Sequence, residues 1–326
     1  FRMLSRVADA LYWMARYSER TESNAHILGV QLVKMLEESG GDEAYLQDWQ
    51  SILDICGNRA EYENVYKVLR VRNIVDYLAF SSNNFNALSI ITSNVRENAR
   101  MTRDIIPNEL WEVWNELYLY LQHEKYQVRA QTHFSLRDIN AFLQRIQRTA
   151  MTASGLIDSA MTRDSAYQFI KIGKWLERAG KTAFILQTLL QRSNVSNDAN
   201  FKEYDLNFAL QLVHGYEDYS KKYRMKKPEM ILNYLITDRT FPGSVRYGLE
   251  MVRQAINEIE RKQVAPYSMR MFGVLEEMMT AVKTDHIEQF TLEEALQFTK
   301  NLSNLCALFG DVFSSTYYLV EPDGKR

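Results

Sequence analysis

The sequence predicts an all-α fold, a helical bundle built from two similar halves related by internal duplication. Three observations point there. Only five prolines occur in 326 residues, which leaves long segments rich in Leu, Ala, Glu, Arg, Gln and Met, residues that lose little on entering a helix. No run of Val, Ile and Thr alternates with polar residues as a half-buried strand would. The third observation is that the second half repeats the first in a register that drifts by only two residues.

In chain order, apolar spacing predicts helices over 4–38, 44–57, 60–80, 84–104, 108–122 and 135–160, then over 164–192, 200–217, 228–237, 243–262, 267–283 and 291–317. Turn chemistry separates them. The breaks fall at Ser39-Gly40-Gly41-Asp42, Ile106-Pro107-Asn108, Ser193-Asn194-Val195-Ser196-Asn197, Phe241-Pro242-Gly243 and Ala265-Pro266. Ser135 and Thr291 are predicted N-caps, with Asp138 and Glu294 three positions on, as in a capping box.

The repeat is read by laying Tyr17-Ser18-Glu19-Arg20-Thr21 over Trp175-Leu176-Glu177-Arg178-Ala179, an offset of 158. Ala25, Ile27 and Leu28 then meet Ala183, Ile185 and Leu186, and Cys56-Gly57 meets His214-Gly215. One residue is lost before Tyr77-Leu78 meets Tyr234-Leu235, and another before Phe134 and Phe142 meet Phe290 and Phe298. Fixed-period self-similarity of this kind is the mark of a duplicated unit. The expected division is a first helical half over 1–160 and a second over 161–326, packed as one compact body.

Composition narrows the function. Apolar residues make up 46% and charged residues 25%, with net charge −2. That is an ordinary globular balance, with nothing to drive the whole chain onto nucleic acid or an anionic membrane. The basic run Lys221-Lys222-Tyr223-Arg224-Met225-Lys226-Lys227 reads as a solvated helix end rather than an anion surface. Cys56 and Cys306 lack CxxC spacing and read as buried thiols in a reducing, cytoplasmic compartment. No leader peptide or membrane span is expected, because charges at helical spacing interrupt every apolar stretch.

The residues that carry chemistry sit on two long helices. A helix turns about 100° per residue, so Glu19 and Arg20 point in different directions and cannot simply pair with each other. Arg16 can reach Glu19 at i+3. Glu22 falls on a stripe of small residues, where a carboxylate needs a partner. Lys174, Glu177 and Arg178 repeat the arrangement. Such residues form either interhelical ion pairs that fix register or a cleft in which arginines take a carboxylate or phosphate and glutamates an amine. Candidate anion contacts near the turn segments 81–86 and 238–244 are Asn83, Arg96, Arg103 and Arg246, where a helix N-terminus attracts negative charge. No phosphate loop, GxGxxG, GxSxG or HExxH occurs. The scattered histidines give no metal-ligand set, so no metal and no cofactor is expected.

These residues resemble the alpha-E domain family, a bacterial all-helical domain with a Glu-Arg motif, long filed as a domain of unknown function. The resemblance is carried by Met3 to Arg20 with Thr21-Glu22-Ser23-Asn24-Ala25, by Arg96-Glu97-Asn98-Ala99-Arg100, and by Phe169-Ile170-Lys171-Ile172-Gly173-Lys174-Trp175-Leu176-Glu177-Arg178-Ala179. It implies association with ATP-grasp carboxylate–amine ligases, transglutaminase-like proteins and Ntn-type amidohydrolases, in peptide or amide-bond synthesis or modification. The expectation is an accessory partner of such a ligase, with a peptide or small carboxylate or amine as ligand and no nucleic acid or membrane partner. Two other readings stay open: an enzyme of that pathway using a charged Glu/Arg cleft, and a purely structural module that makes a homo-oligomer.

Overall fold

A computed structural model of the chain describes residues 4–37, 42–130, 135–195 and 203–317. Among these residues there are fourteen α-helices, one 3-10 turn at Ile287–Gln289 and no strand. The helices are α1 Ser5–Glu37, α2 Asp42–Cys56, α3 Arg59–Tyr66, α4 Val71–Phe80, α5 Leu88–Met101, α6 Asn108–Ala130 and α7 Leu136–Ala160. They continue as α8 Ser165–Val195, α9 Glu203–Leu212, α10 Tyr216–Lys222, α11 Pro228–Thr237, α12 Val245–Ile259, α13 Met269–Ala281 and α14 Leu292–Thr316.

Local chemistry sets many of these ends. Ser135 and Thr291 each form a complete capping box, with Asp138 and Glu294 bonding back to the cap, so two orphan N–H groups are satisfied at each start. Pro228 opens α11, where its missing N–H costs nothing. The Asn58 side chain caps α3 through the Glu61 N–H at 3.2 Å. Pro107 lies in the gap between α5 and α6 as expected. The 39–41 part of the first break and the 196–197 part of the third lie outside the described residues.

Two predicted helices are each split in two. The helix expected over 60–80 stops at Lys67, which has φ 55 and gives its N–H to the Glu63 carbonyl at 3.1 Å. The Tyr62 hydroxyl donates to the Val68 carbonyl at 2.9 Å and holds the turn. The helix expected over 200–217 ends at α9 because His214 has φ 59 and the Gly215 N–H reaches back to the Leu210 carbonyl at 2.7 Å. Left-handed backbone at a helix C-terminus satisfies orphan carbonyls, but at Lys67 and His214 it is reached without the glycine that announces it.

The chain packs as two compact units, residues 17–161 and residues 1–16 with 162–326. The boundary therefore falls inside α1. In the 17–161 unit, α5 packs on α4 and α6, and α6 on α7, while α2, α3 and α4 close one end. Trp114, Tyr62, Tyr77, Phe80 and Phe142 are its largest fully buried side chains. In the other unit α8 is the central rod, flanked chiefly by α12 and α14. Gly173 on α8 lets the start of α1 come close: a Cβ there would stand 2.3 Å from the Tyr12 carbonyl oxygen. Gly248 does the same for α12, since a Cβ would meet Ala179 Cβ and the Trp175 carbonyl at 3.0 Å.

Each unit contains a cluster of three tyrosines. Tyr62, Tyr66 and Tyr77 gather in one, with the Tyr77 hydroxyl 3.0 Å from the Asn58 carbonyl, to which it donates, and 3.3 Å from Glu61. Tyr219, Tyr223 and Tyr234 gather in the other, with the Tyr234 hydroxyl donating to Asp218 at 2.6 Å. The Tyr219 hydroxyl donates to the Met225 carbonyl at 3.1 Å, as Tyr62 does to Val68. Each unit also holds a buried aspartate paired with a cation: Asp48 with Lys34 at 3.1 Å, and Asp205 with Arg192.

Asp238, just after α11, carries a pH dependence. Burial alone would raise its carboxyl, but Lys222 and the N–H groups of Thr240 and Phe241 outweigh this and hold it at about 2. An unfolded aspartate titrates at about 4. The stability it contributes is therefore complete above about pH 4 and lost as pH falls toward 2. Urea midpoints measured across that range should fall more steeply for the native chain than for Asp238→Asn.

Candidate functional site

Of the Glu-Arg residues, the structure brings Arg16 and Glu177 together. Both belong to the unit formed by residues 1–16 and 162–326. Arg16 projects from α1 and its Nε donates to Glu177 Oε2 on α8 at 2.7 Å. Its other branch donates to the Tyr12 hydroxyl at 3.0 Å, one turn back on α1. Its guanidinium also lies 5.1 Å from the Trp13 ring centroid. The i+3 neighbour Glu19 is not its partner; the partner lies 161 residues away.

Packing closes around this pair. Tyr12 is fully buried and its ring lies 5.0 Å from that of Phe313 on α14. Gly310 gives the guanidinium its room, since a Cβ there would stand 3.1 Å from the Arg16 nitrogen and 3.5 Å from the Tyr12 hydroxyl. Glu177 is 6% exposed, too little for water to solvate the carboxylate, so the guanidinium takes that role. Burial pulls the Arg16 pKa down, but Tyr12 and Glu177 overcome it and hold it above its ordinary value. Burial raises the Tyr12 phenol, against the lowering pull of Arg16. The arrangement keeps Arg16 charged and Tyr12 protonated, which suits a fixed tie between helices.

Lys174 and Arg178 stand over the ring of Trp175, at 5.2 and 4.9 Å, and Trp175 meets Tyr247 of α12 edge-on. In the 17–161 unit, Glu19 and Glu22 are buried. Arg20 donates to Asn86 Oδ1 at 3.0 Å and lies over Tyr17. Asn24 bonds the Asn86 carbonyl at 3.4 Å, and Asn84 holds the Asn86 N–H. Asn86 is thus a hub that the sequence reading missed; its only signal was a place in the polar segment before α5. Tyr12 was also missed as a partner of Arg16, although i,i+4 spacing on α1 makes it legible.

The four anion candidates are spread out. Asn83 is exposed in the turn before α5, its N–H bonded to Ser81. Arg96 is held by Asn115 at 2.7 Å and by Glu97, over the Tyr118 ring. Arg103 lies 4.1 Å over Trp111. Arg246 pairs with Glu250 at 3.2 Å. The N-cap of α12, Ser244, spends its side chain on the Tyr247 N–H. In the basic run, Lys222 pairs with Asp238 and Lys226 bonds Tyr216, which matches a helix end. Among the described residues no group of three His, Cys, Asp or Glu could hold a metal ion, and no helix is long and apolar enough to cross a membrane.

Residues 3–318 match a family, Alpha-E, described as a predicted alpha-helical domain with a conserved ER motif. Two curated relatives are similar at 22% identity over 320 residues: Uncharacterized protein Mb2597 of Mycobacterium bovis and Uncharacterized protein MT2643 of Mycobacterium tuberculosis. In each case 93% of this chain is covered but 35% of the relative, so the chain spans about a third of their length. No solved structure matches.

Arg16→Met removes the guanidinium bonded to the buried Glu177 carboxylate, and should destabilise this unit by about 3–5 kcal/mol. Arg16→Met combined with Glu177→Leu should recover much of that loss. Urea unfolding of the three proteins at pH 7 checks both values.

Proposed function

The chain belongs to the Alpha-E family, and on that premise we propose that it is a non-catalytic helical partner of an ATP-grasp-type carboxylate–amine ligase in peptide or amide-bond synthesis or modification. The observation that carries this reading is the use made of the family's Glu-Arg residues. Glu177 accepts from Arg16 in a buried tie, and Arg16 donates to both Glu177 and Tyr12. A carboxylate held against a guanidinium is a poor general base. The motif thus serves the shape of the domain, and chemistry is left to a partner that brings the nucleotide. The longer curated relatives support the same picture, in which a domain of this kind works beside other segments. Two buried cysteines outside any disulfide, Cys56 and Cys306, suit the reducing cytoplasm. Burial pushes the Cys306 thiol up to about 12, against a pull from Arg16.

We also propose that the two halves arose by internal duplication. The two tyrosine clusters support it, because Tyr62, Tyr66 and Tyr77 map onto Tyr219, Tyr223 and Tyr234 at one constant offset. So do the Lys34–Asp48 and Arg192–Asp205 pairs. Asn24 to the Asn86 carbonyl and Thr182 to the Gly243 carbonyl are a further matched pair of hydrogen bonds. The copies differ where Asn86 has a side-chain oxygen for Arg20 and Gly243 has none.

Two measurements test these readings. The purified chain should bind an ATP-grasp ligase encoded beside it and change its rate of ADP release; no binding and an unchanged rate would refute the partnership. Tyr62→Phe and Tyr219→Phe each remove one hydrogen bond to a loop carbonyl and should each cost about 1 kcal/mol. Unequal costs, one near zero, would speak against equivalent roles.

A further inference from the structure

The 17–161 unit contains an open groove between α6 and α7, about 450 Å³ in volume, within the range of small-molecule sites. Glu116 lines it from α6, and Gln144, Arg145, Arg148, Thr149 and Thr152 line it from α7. These α7 positions fall on one face of the helix.

The charges in this groove are unspent. The Arg145 guanidinium lies 3.8 Å over the Tyr120 ring, which seats the planar group and leaves its N–H edge for another acceptor. Arg148 stands one turn along the same face, so two like charges repel there. Arg145, Arg148 and Glu116 form no ion pair among the described residues. The Thr149 and Thr152 hydroxyls donate to the carbonyls of Arg145 and Arg148 at 2.9 and 2.8 Å. Their protons are occupied, and only oxygen lone pairs remain to face a ligand. One wall thus offers two cations for an anion, and the facing wall a carboxylate for a cation. This differs from the Glu-Arg centre, where opposite charges already neutralise each other.

We propose that this groove binds a small zwitterion, an amino acid or short peptide with free ends. Arg145 and Arg148 take its carboxylate by paired N–H donation. Glu116, on the facing wall, takes its ammonium group. Binding needs no partner protein and stands apart from the ligase partnership.

Calorimetric titration of the full chain with alanine and with alanyl-alanine tests this. Saturable binding of either is expected, and the tighter of the two identifies the source. Acetylating the amine or amidating the carboxylate should weaken binding about 10-fold or more. Arg148→Met should weaken it about 10- to 100-fold, and Glu116→Gln should remove the penalty for acetylation. Both side chains are exposed, and circular dichroism verifies that the variants fold. The proposal is overturned by absence of saturable binding to both probes, by unchanged affinity in Arg148→Met, or by inorganic phosphate binding as tightly as the dipeptide.

Discussion

Glu177 lies buried on the central rod of its unit, and a carboxylate there needs a cation close by. Arg16 supplies one, and the packing around it keeps it in place. Gly310 makes room for the guanidinium, Tyr12 takes its second branch, and Gly173 lets α1 approach α8 closely enough for the bond to form. The desolvation cost of burying two charges roughly cancels their attraction. Such a pair therefore contributes less to total stability than to selecting one packing. A helix that slid by one turn would strand both charges, whereas a purely apolar seam would tolerate the slip.

The aromatic residues around the charges do related work. Trp175 carries both Lys174 and Arg178 on its ring, Trp111 carries Arg103, and Tyr120 carries Arg145. Flat rings can seat a cation without neutralising it. This separates spent charges, such as Arg16 and Arg246, from charges that keep their hydrogen-bonding capacity, such as Arg145.

Much of this fold was legible in the sequence. The capping residues Ser135 and Thr291 and the opening Pro228 placed helix starts closely, because they act through bonds to residues three or four positions away. The stops at Lys67 and His214 were not legible. Lysine does not favour φ > 0 and histidine only weakly announces it, and the turn at Lys67 is held by a side-chain hydrogen bond from Tyr62 to the Val68 carbonyl. The centre was read in part. Helix geometry points Glu19 and Arg20 about 100° apart, and the structure gives Arg20 the partner Asn86. The same geometry also pointed Arg16 at Glu19, because periodicity names a face and not the helix that covers it. The α6–α7 groove left no sequence signal, as its two walls become neighbours only in the folded unit.

The division of α1 between two units bears on the order in which the chain is made. Residues 4–16 leave the ribosome before residues 17–161, yet their partners Glu177, Gly310 and Phe313 follow after them. In between, residues 17–161 can complete their own packing. During that interval Tyr12, buried in the finished protein, lacks Gly173 and Phe313, the residues it packs against. The early folding of the intervening unit also shortens the loop of loose chain that must close before Arg16 meets Glu177, which lowers the entropic cost of that late step.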